Sequence, residues 1–317
     1  MADAEVGDDG YGEDPTVAAL EDEYAALVGK DAGLYVPSGT MANQIALRIL
    51  CRTGELVVAG RHQHVVVYEA GGAAMNAGVQ FHTVDDDTGT FPPTAFTDVA
   101  DAANHHQPRV GLVCVEQTHM PSGGTVWPVT ALAELSAAAT ALGVPLHMDG
   151  ARLFNASAAG GVAAHEYAAH ATTVMSCLSK GLCAPVGSLL AGPSELMISA
   201  RLERQRLGGA MRQAGVIAAA GLVALRTMLD RLADDHERAR RLAAIVADRL
   251  PGAGVDPDRV QTNIVVFEHE DTAALLGRLL DHGVLAGTIA PGVVRLVTHH
   301  DVDDADLEIV GKALATS

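Results

Sequence analysis

The chain has 317 residues, 49% of them hydrophobic, enough for one large α/β domain with a smaller companion. It carries 39 acidic against 21 basic residues, a formal net charge of −18, and a surface of that sign repels nucleic acid and anionic membranes. No apolar run reaches the length of a membrane span, the first ten residues are polar and acidic rather than a signal peptide, and the four cysteines form no CxxC pair, so a cytoplasmic protein with free thiols is expected.

Residues 7–13 are glycine-rich and acidic. Asp14 and Pro15 then open a helix as cap and first-turn proline. Val17, Leu20, Tyr24 and Leu27 share one face of it, and Gly29 ends it. Residues 34–37 form a short strand. Ser38, Gly39 and Thr40 follow and feed an apolar helix pattern through Ala42, Ile45, Ala46 and Ile49. A small-residue turn at a helix N-terminus can hold a phosphate through its N–H groups and hydroxyls, although Ser and Thr begin many helices only as caps. Residues 55–59 read as another strand, with His62 and His64 just beyond it. No third ligand accompanies them at metal spacing, so no metal site is expected. A planar histidine could instead lie over a cofactor ring, and a surface histidine pair is the ordinary alternative. Residues 85–93 are acidic and turn-rich, a surface excursion.

Residues 110–115 form a buried-type strand with Glu116, Gln117, Thr118 and His119 at its end. A helix runs through Leu132, Leu135, Ala139 and Leu142 and stops at Gly143. The next strand, 144–148, ends in Asp149, Gly150, Ala151 and Arg152. A further strand, 172–175, precedes Lys180, and residues 188–191 form another. Strands alternating with helices imply a largely parallel sheet, and open α/β sheets bind ligands beyond the carboxyl ends of their strands. His119, Asp149 and Lys180 are therefore expected to share one sheet edge. From Met211 to Leu250 the pattern is helical, with its charges as the solvated face, until Pro251 and Gly252 stop it. The remainder reads as strand (263–267), helix (271–280), two short strands (284–286 and 293–297) and a helix from Asp301. This gives a large domain over 1–225 and a small α+β domain over 226–317. Arg295, judged by its strand pattern alone, is a surface arginine on an edge.

The chain has three lysines, Lys30, Lys180 and Lys312, and only Lys180 sits among apolar and small residues. A charged lysine is costly to bury, and bonding it to a cofactor as a Schiff base removes the isolated ammonium. A lysine at the solvated end of a strand is the ordinary alternative.

With these residues placed, the chain resembles the low-specificity L-threonine aldolase family of pyridoxal-phosphate enzymes. The matching stretches are GDDGYGEDPT (7–16), VPSGTMANQIAL (36–47), YEAGGAA (68–74), HMDGARLFNA (147–156), SCLSKGLCAPVGSLL (176–190), LGGAMRQAGVIAAAG (207–221), VQTNIVVF (260–267) and VRLVTHHDV (294–302). They run through nearly the whole chain in the family's order. The resemblance implies the α/β fold type I of aspartate aminotransferase, with a mostly parallel sheet in the large domain. It also implies a homotetramer with active sites between subunits, acting on a small amino acid. By the same resemblance Lys180 is the Schiff-base lysine, Asp149 the acid beneath the pyridine nitrogen, and Arg152 the neighbour of the ring hydroxyl. Ser38, Gly39 and Thr40 hold the phosphate. His64 stacks on the ring, His119 is the second active-site histidine, and Arg295 grips the substrate carboxylate. Either His64 or His119, directly or through water, would draw the proton from the β-hydroxyl.

The expected reaction is cleavage of L-threonine or L-allo-threonine to glycine and acetaldehyde. The rivals are a β-eliminating lyase, a phenylserine-type aldolase, or a cofactor-binding protein with impaired catalysis. A Rossmann-type nucleotide site is not favoured, because no GxGxxG follows the first strand. Gln205, Ala210 and Cys183 depart from residues usual in the family. The sequence also begins shortly before the 7–16 stretch, without the family's RSDT-like arm. That arm supplies a serine beside the substrate carboxylate, so weak substrate binding carried mainly by Arg295 is expected.

Overall fold

The computed structural model describes residues 1–102 and 106–315. Its first helix, α1 (Pro15–Leu27), begins where Asp14 accepts the N–H groups of Thr16 and Val17 at 3.1 and 3.0 Å. Val17, Leu20 and Tyr24 are buried on the predicted face, and Gly29 closes the helix with a left-handed φ of 64°. Then come β1 (Ala32–Val36), α2 (Gly39–Leu50), β2 (Leu56–Gly60), the short α3 (His64–Val67), β3 (Gln80–Val84), α4 (Pro93–Asp101), β4 (Val110–Glu116), α5 (Val129–Ala141) and β5 (Leu146–Asp149). The chain continues through α6 (Leu153–Gly160), α7 (Ala164–Ala168), β6 (Thr173–Cys177), β7 (Ser188–Gly192), α8 (Ser194–Arg206) and α9 (Gly215–Thr227).

The seven strands form one sheet in the order β1-β7-β6-β5-β4-β2-β3. β7 pairs antiparallel with both of its neighbours, and the other pairings are parallel. The first strand of the chain thus lies beside the last strand of this sheet, with Ala32 opposite Gly192. Apolar residues cover both faces, as a parallel sheet requires. On one face α1, α5 and α9 pack through Leu20, Tyr24, Leu132 and Leu225 against Val58, Val113 and Met148. On the other, α2 and α8 pack through Ala42, Ile45 and Ala200 against Leu34, Val36 and Leu190.

The remaining elements are α10 (Leu232–Arg249), β8 (Ile264–Glu268), α11 (Thr272–Asp281), β9 (Gly287–Ala290), β10 (Val293–Val297) and α12 (Asp304–Ala315). Three antiparallel strands in the order β8-β10-β9 carry a second core of Leu242, Val246, Phe267, Leu275, Val294 and Val310. Two expectations differ from this arrangement. The helical stretch from Met211 is two helices, broken at 228–231. The strand expected at 284–286 lies instead at Gly287–Ala290. Residues 85–92 carry no helix or strand, as expected, and α4, which buries Phe96, follows them.

Candidate active site

Six of the seven strands run one way, so their carboxyl ends gather at one edge of the sheet. β1 ends before Ser38, β2 before His64, β4 at Glu116, β5 at Asp149 and β6 before Lys180. There a cavity of about 400 Å³ is lined by Ser38, Gly39, Thr40, His64, Asp149, Arg152 and Lys180. Arg295 reaches it from β10 of the smaller sheet, and Asn43, Glu116 and Cys177 also line it. Eight of the nine residues singled out in the sequence thus share one cavity.

His119 is the exception: it does not line the cavity. Its ring is buried, with Nε2 2.9 Å from Asp86 Oδ2 and Nδ1 2.8 Å from Ser122 Oγ, so neither nitrogen is free. Its backbone is tied into a tight turn, where His119 N–H donates to Thr125 O and His119 O accepts from Gly124 N–H, both at 2.9 Å. Asp86 can reach the ring because residue 60 is glycine, where a Cβ would lie 2.1 Å from Asp86 Oδ2. His62 holds the other oxygen of Asp86 at 2.9 Å.

The residues that hold the site were not assigned from the sequence. Asn43, fully buried in α2, donates from Nδ2 to Asp149 Oδ2 and to Glu69 Oε1, each at 2.7 Å. Its Oδ1 faces His147 Nε2 at 3.0 Å, and burial pushes the His147 pKa down to about 4, so the neutral ring is the donor. Asp149 also accepts from Ala151 N–H at 3.1 Å. Glu69 takes Gln44 Nε2 at 2.6 Å and His64 Nδ1 at 2.9 Å. The bond to Glu69 raises the His64 pKa, outweighing the burial that opposes it. Glu116 accepts His64 N–H at 2.6 Å and Met120 N–H at 3.0 Å. Burial, reinforced by Asp149, pushes the Glu116 carboxyl up. A polar residue ending an apolar strand was the signal for Asp149, and Glu116 carries the same signal. Asn43 and Gln44 stand out as polar positions within an otherwise apolar helix.

The cavity also fits a phosphorylated aromatic ring. Ser38 caps α2 by accepting Met41 N–H at 3.2 Å, which leaves the N–H groups of Gly39 and Thr40 without acceptors inside the helix. A Cβ at residue 39 would lie 2.8 Å from Cys177 Sγ and 2.9 Å from Met175 Cε, so only glycine lets the backbone come this close. An amine, a buried carboxylate and an imidazole line the same space.

The sequence pattern of beta-eliminating lyases matches residues 1–270. The chain belongs to the beta-eliminating lyase family. It is 40% identical over 316 residues to low-specificity L-threonine aldolase 1 of Arabidopsis thaliana, covering 97% of this chain and 88% of that one. The low specificity L-threonine aldolase of Escherichia coli strain K12 is 40% identical over 309 residues, covering 97% and 90%. The solved structure of a Leishmania major threonine aldolase superposes with a TM-score of 0.81 over 99% of this chain and 92% of that one, at 19% identity. That likeness establishes the fold, the α/β type with a mostly parallel central sheet. Among the described residues, no helix is long and apolar enough to cross a membrane.

Proposed function

We propose that this protein is a pyridoxal-phosphate-dependent aldolase that cleaves L-threonine or L-allo-threonine to glycine and acetaldehyde. The observation that carries the reading is the meeting of Lys180, Asp149, Arg152 and the glycine-bearing start of α2 in one cavity with Arg295. It is supported by threonine aldolases 40% identical over nearly the whole chain.

Lys180 would bond the cofactor, and the N–H groups of Gly39 and Thr40 with the Ser38 side would hold its phosphate. Asp149, fixed by Asn43 and Ala151 N–H, would meet the ring nitrogen. Arg152 would stand beside the ring hydroxyl. When bound, pyridoxal phosphate supplies an electron-accepting ring that stabilises negative charge at the substrate's Cα. Arg295 would take the substrate carboxylate with its planar fork, which fixes orientation as well as adding attraction. His64 would cover the cofactor. Its Nδ1 is committed to Glu69, so Nε2 is the nitrogen left to face substrate.

A homotetramer in the cytoplasm fits the same reading. Exposed Ile198 and Leu202, four residues apart on α8, offer an apolar patch for a second copy. We place the division into a large and a small domain near residue 225, at the turn between α9 and α10. Acetaldehyde release from L-threonine, followed through alcohol dehydrogenase and NADH, tests the function. Pyruvate from serine with no acetaldehyde from threonine would refute it in favour of β-elimination.

A further inference from the structure

Cleavage of a β-hydroxy amino acid needs a group to take the hydroxyl proton, and the reading above leaves that group open. His119 does not line the cavity, and both of its nitrogens already have partners. Asp149 is turned to Asn43 and Ala151, where it would serve the ring nitrogen. His64 is given to covering the cofactor, with its Nδ1 on Glu69.

Glu116 remains. It ends β4 directly opposite Asp149 in the sheet and lines the cavity, although only 4% of it is exposed. Each of its oxygens accepts a single N–H, from His64 and from Met120, so each keeps a further lone pair. Those two backbone donors hold the carboxyl in one orientation without supplying a counter-charge. The charged and titratable groups around it include Asp149 on β5, Arg152 after it, His119 beyond its own strand, Tyr68, His64, whose backbone N–H it accepts, and Lys180 in the same cavity. Arg295, which would hold the substrate, lines the same cavity as Glu116.

We infer that Glu116 is the catalytic residue that accepts the β-hydroxyl proton. This rests on the aldolase reading above. The O–H proton passes to a Glu116 oxygen, and the O–H bonding pair becomes the second bond of the aldehyde C=O. The Cα–Cβ bond breaks and leaves its pair on Cα, which gains a proton to give glycine. Glu116 then releases its proton to solvent and Cα takes one from solvent, so the protons balance over the cycle and Glu116 acts only on the hydroxyl. A buried carboxyl whose affinity for protons is raised suits both steps near neutral pH.

The test compares two reactions of the cofactor-loaded protein. One is threonine cleavage. The other is exchange of glycine α-protons with D2O, followed by proton NMR, which involves no hydroxyl. Glu116→Gln is expected to slow cleavage by about 10²–10⁴-fold and to leave glycine exchange within about threefold. Glu116→Asp, which keeps the acid, is expected to recover at least tenfold over Glu116→Gln. Cleavage by Glu116→Gln within tenfold of the parent protein would overturn the inference. So would equal loss of both reactions, or equal cleavage by the Gln and Asp variants. A parent protein that exchanges glycine protons yet releases no acetaldehyde from threonine would instead overturn the aldolase reading itself.

Discussion

Asn43→Ala removes the one amide that ties Asp149, Glu69 and His147 together. Two of the lost hydrogen bonds go to carboxylates, each contributing about 1.5–3 kcal/mol, and the one from His147 contributes about 1 kcal/mol. Partial compensation is built in. Glu69 keeps Gln44 and His64, Asp149 keeps Ala151 N–H, and a water could enter the polar gap. The expected net loss is therefore about 3 kcal/mol, below the full sum of about 4–7 kcal/mol. With a urea slope of ~3 kcal/mol per molar, that lowers the unfolding midpoint by about 1 M. Asn43→Asp should cost more at neutral pH, because a third carboxylate would face two others at 2.7 Å. One of the three must then hold a proton in the folded state that it lacks when unfolded. Its folded pKa is raised, so stability is present at low pH and lost as pH rises through that value. Urea melts of the cofactor-free protein from pH 5 to 8 check both points. An Asn43→Asp protein as stable as the parent at pH 7.5, with the same pH profile, would refute this account of the cluster.

Three further outcomes are expected. Borohydride reduction of the loaded protein should fix the cofactor on the peptide containing Lys180, as read by mass spectrometry, and Lys180→Ala should abolish the labelling. Gly39→Ala should weaken cofactor binding at least tenfold in a fluorescence titration, because the added Cβ meets Cys177 and Met175. Burial lowers both His147 and His236 to about 4, so the folded protein binds fewer protons than the unfolded chain once pH falls below about 6.5. Stability should then drop by about 2 kcal/mol per histidine between pH 7 and 5, and His236→Gln should remove about half of that slope.

Much of the site was legible because its residues end short apolar strands. Asp149 and Lys180 follow runs whose burial is complete in β5 and β6, and the chain cannot bury them there without a partner. The direction of a side chain at such an end was not legible. His119 and Glu116 are three residues apart on the same segment, yet one faces Asp86 and the other the cavity. What decides this is Gly60, a residue on another strand that leaves room for Asp86. The break between α9 and α10 was hidden for a related reason. The apolar pattern runs on through Leu229 and Leu232, and only the packing of α9 against α1 and of α10 against the small sheet separates them. β3 and β9 lie at sheet edges and are largely exposed, so they carry little of the alternation by which strands are read.

The pairing of β1 with β7 has a consequence for synthesis. The loop that would receive the phosphate hangs from β1, whose sole partner strand, β7, is made about 150 residues later. Asp14 repeats the dependence, since one of its oxygens caps α1 while the other waits for Gly215 N–H at 2.9 Å. A nascent chain thus carries its anion cradle early but cannot set it until residue 192 has left the ribosome. The first segment therefore cannot complete its pairing until nearly all of the large sheet has been synthesised.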